Sequence, residues 1–190
     1  GEAFNQLEQR LNVRNEMPTE ADDLTNKSSV QNPTQGQLQP LVHLFSQGQL
    51  HQVLDQIKQI LPRFPNSPIL YDMYGVASQG VGQYEDAIAS FYKALKIQPN
   101  FAEAYNGLGN VQTEKGDLEA AIDSFKQAVT IKPDFADAFN NMGNALKNKG
   151  DLEASINCYE QALKIKPDFA EAYYNMGNAL QDQGNIEAAI

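Results

Sequence analysis

Four prolines, Pro65, Pro99, Pro133 and Pro167, recur every 34 residues, and Gly48, Gly82, Gly116, Gly150 and Gly184 keep the same interval. A fixed period of this length means one structural unit copied along the chain, not a single globular core. Such an array offers a long shaped surface. A catalytic pocket would need unlike residues converging from distant parts of the chain.

Units begin in register at Pro68, Ala102, Ala136 and Ala170, and Ala102–Phe135 matches Ala136–Phe169 at more than half of the positions. Each unit reads as two helices. Tyr105, Leu108 and Gly109, then Phe139, Met142, Gly143 and Leu146, follow the spacing of one helical face. Leu118, Ala121, Ile122, Phe125, Ala128 and Val129 supply the second stripe. The segment Lys-Gly-Asp-Leu-Glu at 115–119 and 149–153 separates the two helices. Its glycine can end one helix in the left-handed conformation, and its aspartate can cap the next. Pro133 and Pro167 stop the second helix. Asn100-Phe-Ala-Glu103, Asp134-Phe-Ala-Asp137 and Asp168-Phe-Ala-Glu171 then predict capping boxes.

Upstream the pattern decays. Residues 38–67 read as a degenerate unit whose first helix, interrupted by Pro40, is expected to be short, near Leu41–Gln47. Residues 25–37, rich in Ser, Asn, Gln and Gly, read as a linker. Residues 1–24 read as an N-terminal helix carrying Ala3, Phe4, Leu7 and Leu11, or as one more degenerate unit. The chain begins at Gly1 and stops at Ile190 inside a unit, as a fragment would.

The combination Tyr105, Leu108-Gly109, Gly116, Ala121, Phe125, Ala128 and Pro133 resembles the tetratricopeptide repeat (TPR), a family whose 34-residue period is itself a general example of repeat architecture. Tyr71, Tyr74-Gly75, Gly82, Ala87, Phe91, Ala94 and Pro99 form another copy. So do Phe139, Met142-Gly143, Gly150, Ser155, Tyr159, Ala162 and Pro167. The resemblance covers residues 34–190, with units at 68–101, 102–135 and 136–169 and a truncated one at 170–190. It implies an all-α, right-handed superhelical solenoid of antiparallel helix pairs. Its first helices would line a concave groove that holds a peptide or a partner helix.

Composition narrows the partners. The net charge of −10 repels phosphate, and residues 68–190 hold 9 Lys/Arg against 17 Asp/Glu, which argues against nucleic acid and anionic membrane. No apolar run is long enough to span a bilayer. A single cysteine, Cys158, excludes an internal disulfide and a Cys-based zinc site and favours a reducing compartment such as the cytoplasm.

The first helices repeat asparagine: Asn106 and Asn110; Asn140, Asn141 and Asn144; Asn175 and Asn178. In projection these fall within about 100° of one another, opposite the apolar stripe. Asparagine inside a helix costs about half a kcal/mol against alanine, so its recurrence asks for a use. An amide can donate to a peptide C=O and accept from its N–H. The expected groove residues are therefore these seven, with Tyr174 as an aromatic contact. Interhelical hydrogen bonding, and duplication of a neutral residue, are the competing uses. Asn141 and Asn175 also match the asparagine ladder of the repeat arm of O-linked N-acetylglucosamine transferases, while Gly107 and Met73 depart from it. Carboxylate-clamp repeats place a lysine where this chain has Asp72, Asn106, Asn140 and Tyr174, so that partner class is not expected.

Glu103, Asp137 and Glu171 form an acidic row better explained by helix starts than by a cation site. His43 and His51 lack partners for metal or catalysis, and Cys158 has no nearby histidine. No cofactor, metal or catalytic group is implied. The expected role is an interaction scaffold. Two alternatives stay open: the recruiting arm of a bacterial transferase (sulfotransferase or glycosyltransferase), and a self-assembling array that pairs through its exposed end at Tyr173, Met176 and Leu180.

Overall fold

The computed structural model describes residues 32–184, and within them every regular element is helical. Two compact units divide at Pro99 and Asn100. The first contains α1 (Gln35–Ser46), α2 (Leu50–Ile60) with a 3₁₀ turn (Leu61–Arg63), α3 (Pro68–Gly80) and α4 (Tyr84–Ile97). The second contains α5 (Ala102–Glu114), α6 (Leu118–Ile131), α7 (Ala136–Lys149), α8 (Leu152–Ile165) and α9 (Ala170–Asp182). Each described helix packs against its neighbour in sequence within its unit, and in the second unit α7 also touches α5 and α9. The expectations for residues 1–24 lie outside the described residues.

The turns between paired helices share one design. Gly150 ends α7 with φ 91°, which a residue with a Cβ rarely adopts, and its N–H reaches the carbonyl of Lys147. The N–H of Asp151 continues to Leu146, and the Asp151 carboxylate then caps α8 by accepting from Ala154 N at 3.2 Å. Asp117 stands at the same place before α6 and makes no such bond.

Within a pair, glycine faces an aromatic ring. A Cβ on Gly109 would sit 2.6 Å from the Phe125 ring, and one on Gly143 would sit 2.5 Å from Tyr159. The absent side chain is what lets α5 meet α6, and α7 meet α8, at ring-thickness distance. Phe125 and Tyr159 are almost fully buried there, each contributing about 2–3 kcal/mol of apolar burial. Between pairs, Phe135 joins Ala102, Ala128 and Ala138, while Phe169 joins Ala136, Ala162 and Ala172. Lys132 and Lys166 cover these aromatics at 4.7 and 4.6 Å from the ring centres.

Three expectations are corrected. First, Pro40 does not shorten the opening helix, because α1 runs from Gln35 through it to Ser46 and takes in the last residues of the expected linker. One missing N–H and a crowded carbonyl cost about 3 kcal/mol. Leu38, Leu41, Leu44 and Phe45, all buried along one stripe of α1, outweigh that loss. Second, the capping boxes do not form. The residues at the N-cap are Phe101, Phe135 and Phe169, and none of the three helices has a side-chain cap bond. Two of the three acids reach elsewhere instead: Glu103 accepts from Lys132 Nζ, just past the end of α6, at 3.1 Å, and Glu171 accepts from Asn140 Nδ2 on α7 at 2.8 Å. Third, the asparagine row does not lie wholly opposite the packed face, because Asn106 and Asn140 are buried.

Candidate functional site

The first helices of the second unit, α5, α7 and α9, stand side by side and present the asparagines along their line of contact. The eight candidate residues divide by environment. Asn106 and Asn140 are buried at 2% and 1% exposure, because the neighbouring first helix lies over their register. Asn110, Asn141, Asn144, Asn175 and Asn178 are half-buried. Tyr174, in the register of Asn106 and Asn140, is 71% exposed.

The buried amides bond between helices. Asn106 Oδ1 accepts from Asn141 Nδ2 at 3.2 Å, and Asn140 Oδ1 accepts from Asn175 Nδ2 at 3.0 Å. Both links join residues 35 apart, so each helix repeats the same bond to the next. Glu171 completes Asn140. A buried amide left unpaired would cost about 1–3 kcal/mol, which explains why the pairs are closed. Interhelical bonding is thus a real use of four of the seven asparagines. Lys147 on α7 and Asp182 on α9 repeat the 35-residue offset as an ion pair at 3.4 Å.

The three remaining asparagines share one register, 34 residues apart, and differ in what holds them. Asn144 accepts from the Tyr159 hydroxyl at 2.8 Å. Phe125 occupies the matching place behind Asn110 and has no hydroxyl to offer. Among the described residues the side chains of Asn110 and Asn178 have no hydrogen-bond partner. The sequence reading missed Glu171 and Tyr159 as parts of this wall. Both acts of pairing connect helices, and the local spacing of Glu171 pointed to a cap.

Other chemistry is sparse. Among the described residues no cluster of His, Cys, Asp or Glu could hold a metal ion. His43 Nε2 lies 3.0 Å from Gln47 Nε2 at the surface. Burial, and secondarily the charge of Asp151, push the Cys158 thiol up to about 11, which leaves it protonated and a poor nucleophile. Burial likewise raises the Tyr159 phenol, with the nearby Cys158 and Glu171 adding to the shift. Among the described residues no helix is long and apolar enough to cross a membrane.

Comparison with known proteins places this arrangement. The crystal structure of MamA superposes with a TM-score of 0.69 at 28% identity, covering 78% of this chain and 87% of that one. YrrB, described as a TPR protein with an unusual peptide-binding site, superposes at 0.63 with 22% identity over 83% of this chain and 81% of its own. The first TPR of Spaghetti (RPAP3), solved bound to the HSP90 peptide SRMEEVD, gives 0.60 at 19% identity over 62% and 93%. No curated protein matches the chain in sequence. A family model for the TPR repeat matches residues 81–116, 109–150 and 143–184, together more than half of the chain. The paired helices, the glycine-to-ring contacts and this match agree: the chain belongs to the TPR repeat family.

Proposed function

We propose that the chain is a protein-interaction scaffold, and that the wall formed by α5, α7 and α9 takes an extended peptide segment. The observation that carries this is the set of half-buried amides on adjacent first helices: Asn110, Asn144 and Asn178 in one register, with Asn141 and Asn175 between them. An amide both donates and accepts, which matches the alternating groups of a peptide backbone whatever its side chains. Asn106 and Asn140 serve the wall differently, tying neighbouring helices together so that the exposed amides keep a fixed spacing. Tyr174 supplies a flat surface at one end. Peptide binding by YrrB and by the RPAP3 repeat supports this use of the fold. The net charge of −10 favours a neutral or basic segment.

The test is selection from a displayed library of random twelve-residue peptides, followed by titration of the selected sequences. Asn110→Ala combined with Asn144→Ala is expected to weaken binding about tenfold or more, with helix content unchanged. Undiminished binding to the double variant would remove these asparagines from the site.

A further inference from the structure

We infer that Glu171 fixes the polarity of the asparagine wall, so that Asn175 presents an acceptor and selects a segment with a free peptide N–H at that point. The inference rests on the peptide-binding role proposed for this face.

Its basis is the difference between a carboxylate and an amide. At neutral pH a glutamate side chain only accepts hydrogen bonds, whereas an asparagine can turn either arm towards a partner. Glu171 Oε1 lies 2.8 Å from Asn140 Nδ2, so the nitrogen of that amide must face Glu171. Asn140 is 1% exposed and has no solvent to turn towards. Its oxygen therefore faces Asn175, and only a nitrogen can meet it there, at 3.0 Å. The consequence falls on the half-buried member of the pair. The oxygen of Asn175 forms the opposite arm of its amide and has no hydrogen bond among the described residues.

Asn141 donates to Asn106 Oδ1 in the same sense, but that partner is itself an amide, so Glu171 sets the polarity only of the Asn140–Asn175 link. Asn144 contrasts with both. Its partner is a hydroxyl, which can donate or accept, so that amide keeps the freedom to present either arm. The wall thus combines one set acceptor, Asn175, with positions that can adapt. A set acceptor tolerates any side chain on the ligand but requires a secondary amide. Proline or an N-methylated residue at that place has no hydrogen to give.

Glu171→Gln is nearly isosteric and replaces the obligatory acceptor by a group that can serve either way. Glu171 is exposed, so the substitution leaves the core intact, and a thermal melt checks that it does. The experiment takes the strongest binder from the displayed twelve-residue library and methylates each backbone nitrogen in turn. On the unaltered protein, methylation at one or two positions is expected to lower affinity about tenfold. On the Glu171→Gln protein the same methylations are expected to cost less than about threefold, because Asn140 and Asn175 can turn together and Asn175 can then donate to an adjacent peptide carbonyl instead. A methylation penalty unchanged by Glu171→Gln, or no penalty at any position, overturns the inference and leaves the peptide site standing. If selection yields no binder, or a binder indifferent to Asn110→Ala with Asn144→Ala, the peptide-site reading fails and this inference fails with it.

Discussion

The units 102–135 and 136–169, built on α5–α6 and α7–α8, are more than half identical, yet they solve two facing positions in opposite ways. In α5–α6, Gln112 and Ser124 meet across the helices, and the serine hydroxyl donates to Gln112 Oε1 at 2.7 Å. At the same two places α7–α8 has Leu146 and Cys158, packed in an apolar cluster with Met142 and Phe139. The aromatic behind the wall changes as well, from Phe125 to Tyr159. The polar link thus sits deep between helices in one pair and at the wall in the other. The difference teaches that the shared positions set the backbone, while the differing ones decide where polar groups can be satisfied.

The largest effect is expected where the two pairs agree. Gly109→Ala and Gly143→Ala each drive a methyl into a buried ring, and each should destabilise by about 2–3 kcal/mol in denaturant unfolding. A much smaller loss at one of them would show that its ring can move aside. Next comes the exchanged polar pair. Gln112→Leu leaves the Ser124 hydroxyl without its partner and should cost about 1 kcal/mol. Adding Ser124→Cys should restore most of the loss, since it recreates the pairing found in α7–α8. Additive losses would break the correspondence between the two pairs.

Smaller still is Tyr159→Phe, which makes the second pair resemble the first. Asn144 is half-exposed and can turn to water, so the expected loss is about 0.5–1 kcal/mol. Phe125→Tyr tests the converse by offering Asn110 the bond it lacks.

The last difference, Cys158 against Ser124, is silent at neutral pH and shows only as the pH rises. The folded thiol is raised to about 11, so its contribution is fully present below the ordinary thiol range and is lost as pH rises through that folded value. The melting temperature should therefore fall more steeply between pH 8 and about 10.5 in the unaltered protein than in Cys158→Ala. Equal slopes would place the thiol in contact with solvent.

Much of this was legible in the sequence because it is local. The 34-residue period, the left-handed glycines and the small-residue-to-aromatic pattern each depend on neighbours within one helix pair. The helix starts at Ala102, Ala136 and Ala170 follow from the same pattern. What failed depended on distance. Glu103 and Glu171 have the spacing of capping acids, but Lys132 and Asn140 compete for them from 29 and 31 residues away. Asn106 and Asn140 look exposed on a single helix, and only the adjacent helix buries them. Pro40 failed for another reason: the rule against proline in helices is energetic, and the leucine stripe of α1 exceeds it. The placement of the candidate peptide face was therefore half visible. The register of Asn110, Asn144 and Asn178 could be read directly, whereas the pairing of the other four could not.

The 35-residue reach of the asparagine links has a bearing on how the chain acquires its structure. A link of that length closes a loop of one unit, and the second link begins at the residue beside the one where the first ended. Loop-closure entropy grows only slowly with length and is met here in equal small steps. Low contact order of this kind favours rapid folding. Nucleation can start at any helix pair and spread to either side. Native-state hydrogen exchange should then show protection falling away from the middle of the second unit, where α7 has bonded neighbours on both flanks.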